Sequence, residues 1–242
     1  MSGRPASAPK ALGILGGMGP LAGATFALRM VQLTDAAADQ DHIPTLLCND
    51  PRIPDRSSAM LQGGESPLPA MQRGIRLLEA AGAGCIAVPC NTAHLWFDDL
   101  KGATRLPVLN IAEAVLENLQ RQGILRGTVG VLGTPATLAL GLYQRALEQA
   151  GYEVIVPEPD DVLRHCVTAI AAVKAGRLDA AWDPAARGIR ALVARGAKAV
   201  VLGCTELPLA VPHDRRGEFD CVLTDSIDAL ALAAIAHCRQ NN

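Results

Sequence analysis

Short apolar runs alternate along this chain with longer segments in which apolar residues recur at three- and four-residue spacing. The runs, at 11–15, 44–48, 85–88, 108–109, 128–132, 153–156, 197–202 and 221–223, are candidate buried strands and often end at glycine or proline. The periodic segments, at 21–38, 69–81, 111–122, 136–150, 161–175, 184–195 and 226–239, predict helices. Strands separated by helices pair through crossovers rather than hairpins. The pattern therefore predicts an α/β fold built on parallel sheet, with helices on both faces. Residues 1–9 are rich in serine, proline, glycine and alanine and predict a disordered leader, with folding from Lys10 onward.

The order of signals repeats. GILGGMGP at 13–20 resembles GVLGTP at 130–135, and after each a strand ends in a polar turn that opens with cysteine. Cys90 lies 74 positions after Gly16, and Cys204 lies 71 after Gly133. The repeat predicts two similar lobes, each a parallel sheet flanked by helices, with the active site in the cleft between them. The expected division gives a first lobe of residues 10–109 plus 222–242, the last helix returning to it, and a second lobe of 110–221. Strand, glycine and helix also recur in α/β proteins without duplication, and the sequence alone leaves that reading open.

Composition narrows the partners. At 242 residues the chain can bury a substantial core, and half of it is hydrophobic while only 3% is aromatic. Aliphatic residues and alanine must fill that core, and stacking of nucleobases on aromatic platforms is excluded as a main binding mode. The formal net charge of -2 comes from charges spread along the chain, with neither a basic stripe for nucleic acid nor a polybasic membrane patch. The most apolar late stretch, 229–236, falls far short of the roughly 20 residues of a membrane span. A small-molecule partner is expected. Seven cysteines with no CxxC pair and no signal-peptide pattern predict reduced thiols and a cytoplasmic protein.

The candidate chemistry centres on two of those thiols. Parallel α/β proteins bind ligands beyond the carboxyl ends of their strands, which is where Cys90 and Cys204 fall. Cys48, Cys85, Cys166, Cys221 and Cys238 sit in apolar contexts and read as small buried hydrophobes. Two thiols facing one substrate can take a proton from one side of a carbon and deliver one to the other. Asn91 and Thr92 follow the first cysteine, and Thr205 and Glu206 the second. Hydroxyl, amide and backbone donors at an expected helix start lower a thiol's pKa and hold anions. The GGMGP turn at 16–20 serves either a tight turn with positive φ or a close approach to a ligand anion, and its spacing is neither a dinucleotide fingerprint nor a P-loop. Segment 49–57 predicts a loop at the ligand-binding edge, where Arg52 or Arg56 can grip a carboxylate with paired hydrogen bonds. Lys174 ends a helix just before Ala175 and Gly176, a place where lysine ordinarily complements the helix dipole. Cys90 and His94 share a helical spacing but lack a second ligand pair, so no metal is expected and His94 reads as support for its turn.

At these residues the sequence resembles the aspartate/glutamate racemase family of cofactor-independent amino-acid racemases, and within it the aspartate racemase branch. The resemblance rests on GGMGP at 16–20, the stretch from His42 to Arg56, PCNTAH at 89–94 and GCTELPLA at 203–210. It implies a two-lobed fold with the last helix returning to the first lobe, a homodimer, and no metal or organic cofactor. It also implies that Cys90 and Cys204 form the acid/base pair and that Arg56 and Lys174 hold the carboxylates of a dicarboxylate amino acid. Lys174 thereby acquires a role beyond the helix dipole. Asn91, Thr92 and Thr205 become candidate donors to the charge that develops on the substrate, and Met18, Gly19, Thr134 and Glu206 candidate borders of the same pocket. Arg52 adds a second positive charge to the Arg56 loop. The expected activity is interconversion of L- and D-aspartate, or of glutamate. The rival expectations are another chemistry of the family, such as a glutamate or hydantoin racemase or a maleate-type isomerase, and a non-catalytic amino-acid-binding protein.

Overall fold

The computed structural model describes residues 10–240, so the expected leader over residues 1–9 lies outside the described residues. Two parallel sheets organise the chain. The first contains β1 (Ala11–Gly16), β2 (Thr45–Asn49) and β3 (Ala83–Ala87) in the order β2-β1-β3. The second contains β4 (Gly127–Gly133), β5 (Tyr152–Ile155), β6 (Ala199–Gly203) and β7 (Val222–Asp225) in the order β5-β4-β6-β7. The first three strands of each sheet therefore follow one order. The likeness extends to a fourth position: Val108 pairs with Ile86 beside β3, as β7 pairs beside β6.

The helices close both faces. α1 (Pro20–Leu33), α2 (Arg56–Gln62), α3 (Leu68–Ala80), α4 (Phe97–Lys101) and α5 (Ile111–Arg121) accompany the first sheet in sequence. Along the second half come α6 (Pro135–Ala139), α7 (Leu142–Gln149), the single turn α8 (Pro159–Asp161), α9 (Thr168–Lys174), α10 (Leu178–Ala194), α11 (Leu207–Ala210) and α12 (Ser226–Gln240). α1 and α3 both pack on β1, and α10 packs on β4 and β6. Every residue of β6 is buried, as a parallel strand covered on both faces requires. Val200, Val201 and Leu202 there each contribute about 1.5–3 kcal/mol by burial. β2 is an edge strand with residues of partial and full exposure alternating along it.

The strand expectations sit within a few residues of the observed elements, but the division at residue 222 is corrected. β7 hydrogen-bonds to β6 from Ala199↔Val222 to Leu202↔Asp225, so it extends the second sheet. Only α12, beginning at Ser226, crosses back, packing on α1 and α5. α5 itself follows the strand-like stretch beside β3, yet it packs on α7 and β7. Each half thus ends in a helix that covers its neighbour, and the two helices meet.

Other differences have local causes. The helix expected over 136–150 breaks at Gly141, whose left-handed φ of 67° stops α6 and starts α7. The helix expected over 161–175 is continuous in space but widens into a π-helical stretch at Val162–Val167 before α9. α10 starts at Leu178, six residues before the expected start, and carries Pro184 in its interior. Its buried Ala181, Ala185 and Ala186 hold that turn against its neighbours despite the missing N–H. α1 ends at Leu33 rather than continuing to 38, and the Thr34 hydroxyl folds back to the Met30 carbonyl at 2.6 Å. The expected loop at 49–57 already contains the first two residues of α2, capped by Asp55, whose carboxylate accepts from the Ser58 N–H at 2.8 Å.

Candidate active site

The cysteine turns leave the carboxyl ends of β3 and β6 and meet in one small cavity. Met18, Asp55, Arg56, Ser57, Cys90, Asn91, Thr92, Thr134, Lys174, Cys204, Thr205 and Glu206 line it. Of the catalytic and pocket residues that the resemblance implies, Gly19 alone stands outside this lining. It borders an adjoining cavity of about 500 Å³ that shares Asp55, Arg56, Lys174 and Glu206 with the first. A Cβ at Gly19 would lie 3.1 Å from Oε1 of Glu206. Gly17 has the structural role foreseen for this turn: its φ is +94°, and a Cβ there would fall 2.1 Å from the Asp50 carbonyl oxygen. The central cavity measures about 20 Å³, room for about one water molecule.

The two thiols have unlike neighbours. Cys204 donates to Oε2 of Glu206 at 2.9 Å, and the Thr205 hydroxyl reaches the same oxygen at 3.3 Å. Burial pushes the Cys204 thiol well above its ordinary pKa, and the charge of Glu206 adds to the rise. The Glu206 backbone N–H and the charge of Lys174 oppose it without overcoming it. Burial also raises Cys90, but there the largest opposing influence is the charge of Arg56, followed by the Ala93 backbone N–H. Thiol pKa values below the ordinary range, expected from helix starts, are therefore not found. The Cys90 turn opens into a 3₁₀ stretch, Thr92–Trp96, and the Cys204 turn into the four-residue α11. Neither has the aligned length from which a strong dipole builds, and desolvation dominates.

Arg56 is the arginine of the cavity. It is 8% exposed, and its Nη1 donates to the Ile53 and Pro54 carbonyls at 3.2 and 2.9 Å, while its Nε is buried without a hydrogen-bond partner. Arg52 points elsewhere, its side chain 88% exposed and bound to both oxygens of Asp50 at 2.8 and 2.9 Å. That pairing lowers the Asp50 carboxyl to about pKa 2 and balances the extra charge on the loop. Lys174 ends α9 and borders both cavities.

Several polar side chains foreseen as donors are already engaged. Asn91 accepts from the Tyr143 hydroxyl through Oδ1 and donates through Nδ2 to Oγ of Ser226 at 2.9 Å. The Thr92 hydroxyl lies 3.0 Å from that of Thr134 and 3.2 Å from that of Thr137. Thr134 also caps α6 by accepting from the Thr137 N–H at 3.1 Å. His94 stands behind the Cys90 turn, Nδ1 at 2.9 Å from the Cys90 carbonyl and Nε2 at 3.3 Å from that of Leu109, and burial lowers its pKa. Asp55 and Ser57 join the lining without having been singled out. The aspartate before Arg-Ser-Ser was the available signal, since it is a helix N-cap type. Tyr143 and Ser226 carried no comparable mark.

Among the described residues, His213, Asp225 and Asp228 are close enough to share a cation. Arg29 binds Asp228 at 2.6 Å and Arg216 binds Asp225 at 2.7 Å. The carboxylates are thus already neutralised by guanidinium groups, and none of the three lines the thiol cavity.

Two parallel sheets of matching strand order, meeting at a cavity that receives one thiol from each, define a two-lobed α/β protein with a paired-cysteine site. The chain belongs to the Asp/Glu/hydantoin racemase family, whose sequence profile matches residues 15–234. The structure of Picrophilus torridus aspartate racemase superposes with a TM-score of 0.83 at 33% identity, covering 95% of this chain and 94% of that one. The broad specificity amino-acid racemase RacX of Bacillus subtilis (strain 168) is 28% identical over 212 residues, 84% of this chain and 88% of the relative. A glutamate racemase of Aquifex pyrophilus is 30% identical over 165 residues, 64% of this chain and 59% of the relative.

Proposed function

We propose that this protein racemises an acidic amino acid, aspartate first, by moving the α-proton between Cys90 and Cys204 without an organic cofactor or metal. The observation that carries the reading is the cavity itself, where one thiol from each sheet meets Arg56, whose buried Nε has no protein partner. An α-carboxylate or side-chain carboxylate supplies the acceptor that Nε lacks, and Lys174 offers a second cation on the same wall.

In one direction the Cys90 thiolate takes the α-proton on Sγ, and the electron pair of the C–H bond moves into the α-carboxylate as an enediolate. The Cys204 thiol then gives its proton to the opposite face of the carbon. The reverse reaction exchanges the roles, and each turnover leaves the protonation of the pair inverted. Glu206 accepts the hydrogen bond of the Cys204 thiol and so keeps that proton in place before delivery. Charge on the enediolate is met by Arg56 and by backbone N–H groups of the two turns.

A diacid needs more room than about 20 Å³. Arg56, Asp55, Lys174 and Glu206 separate the small cavity from the larger adjoining one, so movement of these side chains merges the two on entry. The larger cavity also supports a second reading, tolerance of longer side chains, in keeping with the broad specificity of the Bacillus subtilis relative. Assembly as a homodimer in the cytoplasm is part of the proposal, and light scattering reads the oligomer directly.

Chiral separation of products from a panel of D- and L-amino acids decides among these readings. Aspartate or glutamate is expected to interconvert faster than any neutral amino acid. Faster turnover of neutral substrates overturns the acidic preference, and binding without interconversion of any member overturns the racemase reading.

A further inference from the structure

Tyr143 is fully buried on α7 and touches both cysteine turns with different parts of one side chain. Its hydroxyl donates to Oδ1 of Asn91, the residue after Cys90. Its ring lies against Gly203, the residue before Cys204: a Cβ at that glycine would stand 2.8 Å from Cε2 of the ring and 2.7 Å from the Leu132 carbonyl oxygen. Glycine at 203 is thus required by the close approach of ring and strand. Asn91 continues the chain of contacts through Nδ2 to Ser226 at 2.9 Å, and Ser226 donates to the Leu202 carbonyl at 3.3 Å. Leu202 is two residues before Cys204. Asn91, Ser226 and Leu202 are all buried, so these bonds form away from competing water.

We propose that Tyr143 is a positioning residue that fixes the separation of the two thiols, its ring set against the Cys204 turn and its hydroxyl holding the Cys90 turn through Asn91. The inference rests on the two-thiol reading above. Two-base transfer requires both sulfurs within reach of one carbon on opposite sides, and a displacement of about 1 Å costs about 10²-fold. The two turns come from different sheets, so no single strand ladder sets their distance. Beside the hydroxyl contacts of Thr92 with Thr134 and Thr137, which join the Cys90 turn to the second half, Tyr143 and the Asn91–Ser226–Leu202 path reach from one cysteine turn to the other. Burial keeps the phenol protonated and therefore a donor, with its pKa well above the ordinary value.

Tyr143→Phe keeps the ring and removes the hydroxyl. In heavy water, a well-spaced pair hands solvent deuterium to the product enantiomer while unreacted substrate keeps its protium. A slackened Cys90 turn lets one thiol remove the proton while the other fails to deliver. The abstracting thiol then has time to exchange its proton for solvent deuterium and returns that deuterium to the same face, regenerating the starting enantiomer as the α-deuterated form. Tyr143→Phe is expected to slow racemisation by about 10- to 100-fold, with KM within about threefold and a larger share of deuterium in recovered substrate. Ser226→Ala, which interrupts the path between Asn91 and Leu202, is expected to shift the partition in the same sense by less. A purely structural role would lower exchange and racemisation together and leave the partition unchanged. An unchanged partition in both variants, or a Tyr143→Phe rate within twofold of wild type, overturns the inference and leaves the racemase reading standing. Absence of α-proton exchange in the wild-type enzyme overturns both.

Discussion

The Cys90 and Cys204 turns end strands at equivalent places in two sheets of like order, yet one thiol is set against a guanidinium and the other against a carboxyl group. Topology makes the positions equivalent, and the side chains set beside each thiol make them unequal. Arg56 arrives on α2 from the loop after β2, whereas Glu206 follows Cys204 by two residues. A racemase must run in both directions, so it does not need identical bases. It needs a pair that shares one proton at the working pH and is held at a fixed distance. Burial raises both thiols, Arg56 opposes the rise at Cys90 and Glu206 adds to it at Cys204. The asymmetry therefore favours the thiolate on Cys90 over that on Cys204, with the apparent pKa values belonging to the pair.

Removing either thiol breaks the comparison outright. Cys90→Ala and Cys204→Ala are each expected to reduce racemisation by about 10³-fold or more, measured by chiral separation of the products. Near wild-type racemisation by either variant contradicts the shared-proton account. Next in size is Arg56→Gln, which removes both a carboxylate partner and the charge that favours the Cys90 thiolate. Loss of a buried charged partner costs about 2–5 kcal/mol, expressed here as a fall in kcat/KM. Because Cys90 then ionises with more difficulty, the acidic limb of the kcat/KM profile is expected to move to higher pH. Glu206→Gln acts chiefly on the other thiol and with opposite sign, since the Glu206 charge stands next after burial at Cys204 but behind Arg56 at Cys90, which it also raises. Taking away the neighbouring negative charge lowers the Cys204 pKa, so the alkaline limb is expected to move to lower pH, with kcat reduced by about tenfold. Shifts of the same limb in both variants would show that the two neighbours do not distinguish the thiols. The smallest effect is expected at Arg52, where Arg52→Ala should leave kcat/KM for aspartate within about twofold, since the side chain is exposed and paired with Asp50.

The parts legible in the sequence were those written locally. Apolar runs located strands, and the strand-to-turn junctions located Cys90 and Cys204, because a strand end and its polar turn are contiguous in the chain. The repeat announces two similar parallel sheets, while their strand order is given by the structure alone. Lone breaks were harder to read: Gly141 divides one expected helix, while Pro184 fails to stop another, and in each case packing from distant elements decides. Strand β7 belongs to the second sheet although the division expected at residue 222 gives it to the first lobe, because the sequence marks a returning helix but not the strand where the return begins. Arg56 could not be chosen over Arg52 by pattern alone, since the choice depends on which side chain the fold buries. Tyr143 was invisible for the same reason: its partners Asn91 and Gly203 lie 52 residues before it and 60 after it. The thiol pKa values are raised rather than lowered because burial outweighs the donors of the turns, and burial is set by tertiary packing that the sequence does not show.

The central claim, one thiol on each side of the α-carbon, is tested most directly by early turnover of L-aspartate in heavy water by the wild-type protein. D-Aspartate formed in the first few per cent of reaction is expected to carry α-deuterium while recovered L-aspartate retains protium. Deuterium appearing in recovered L-aspartate as fast as in the product would mean that a single group serves both faces, and would contradict the account.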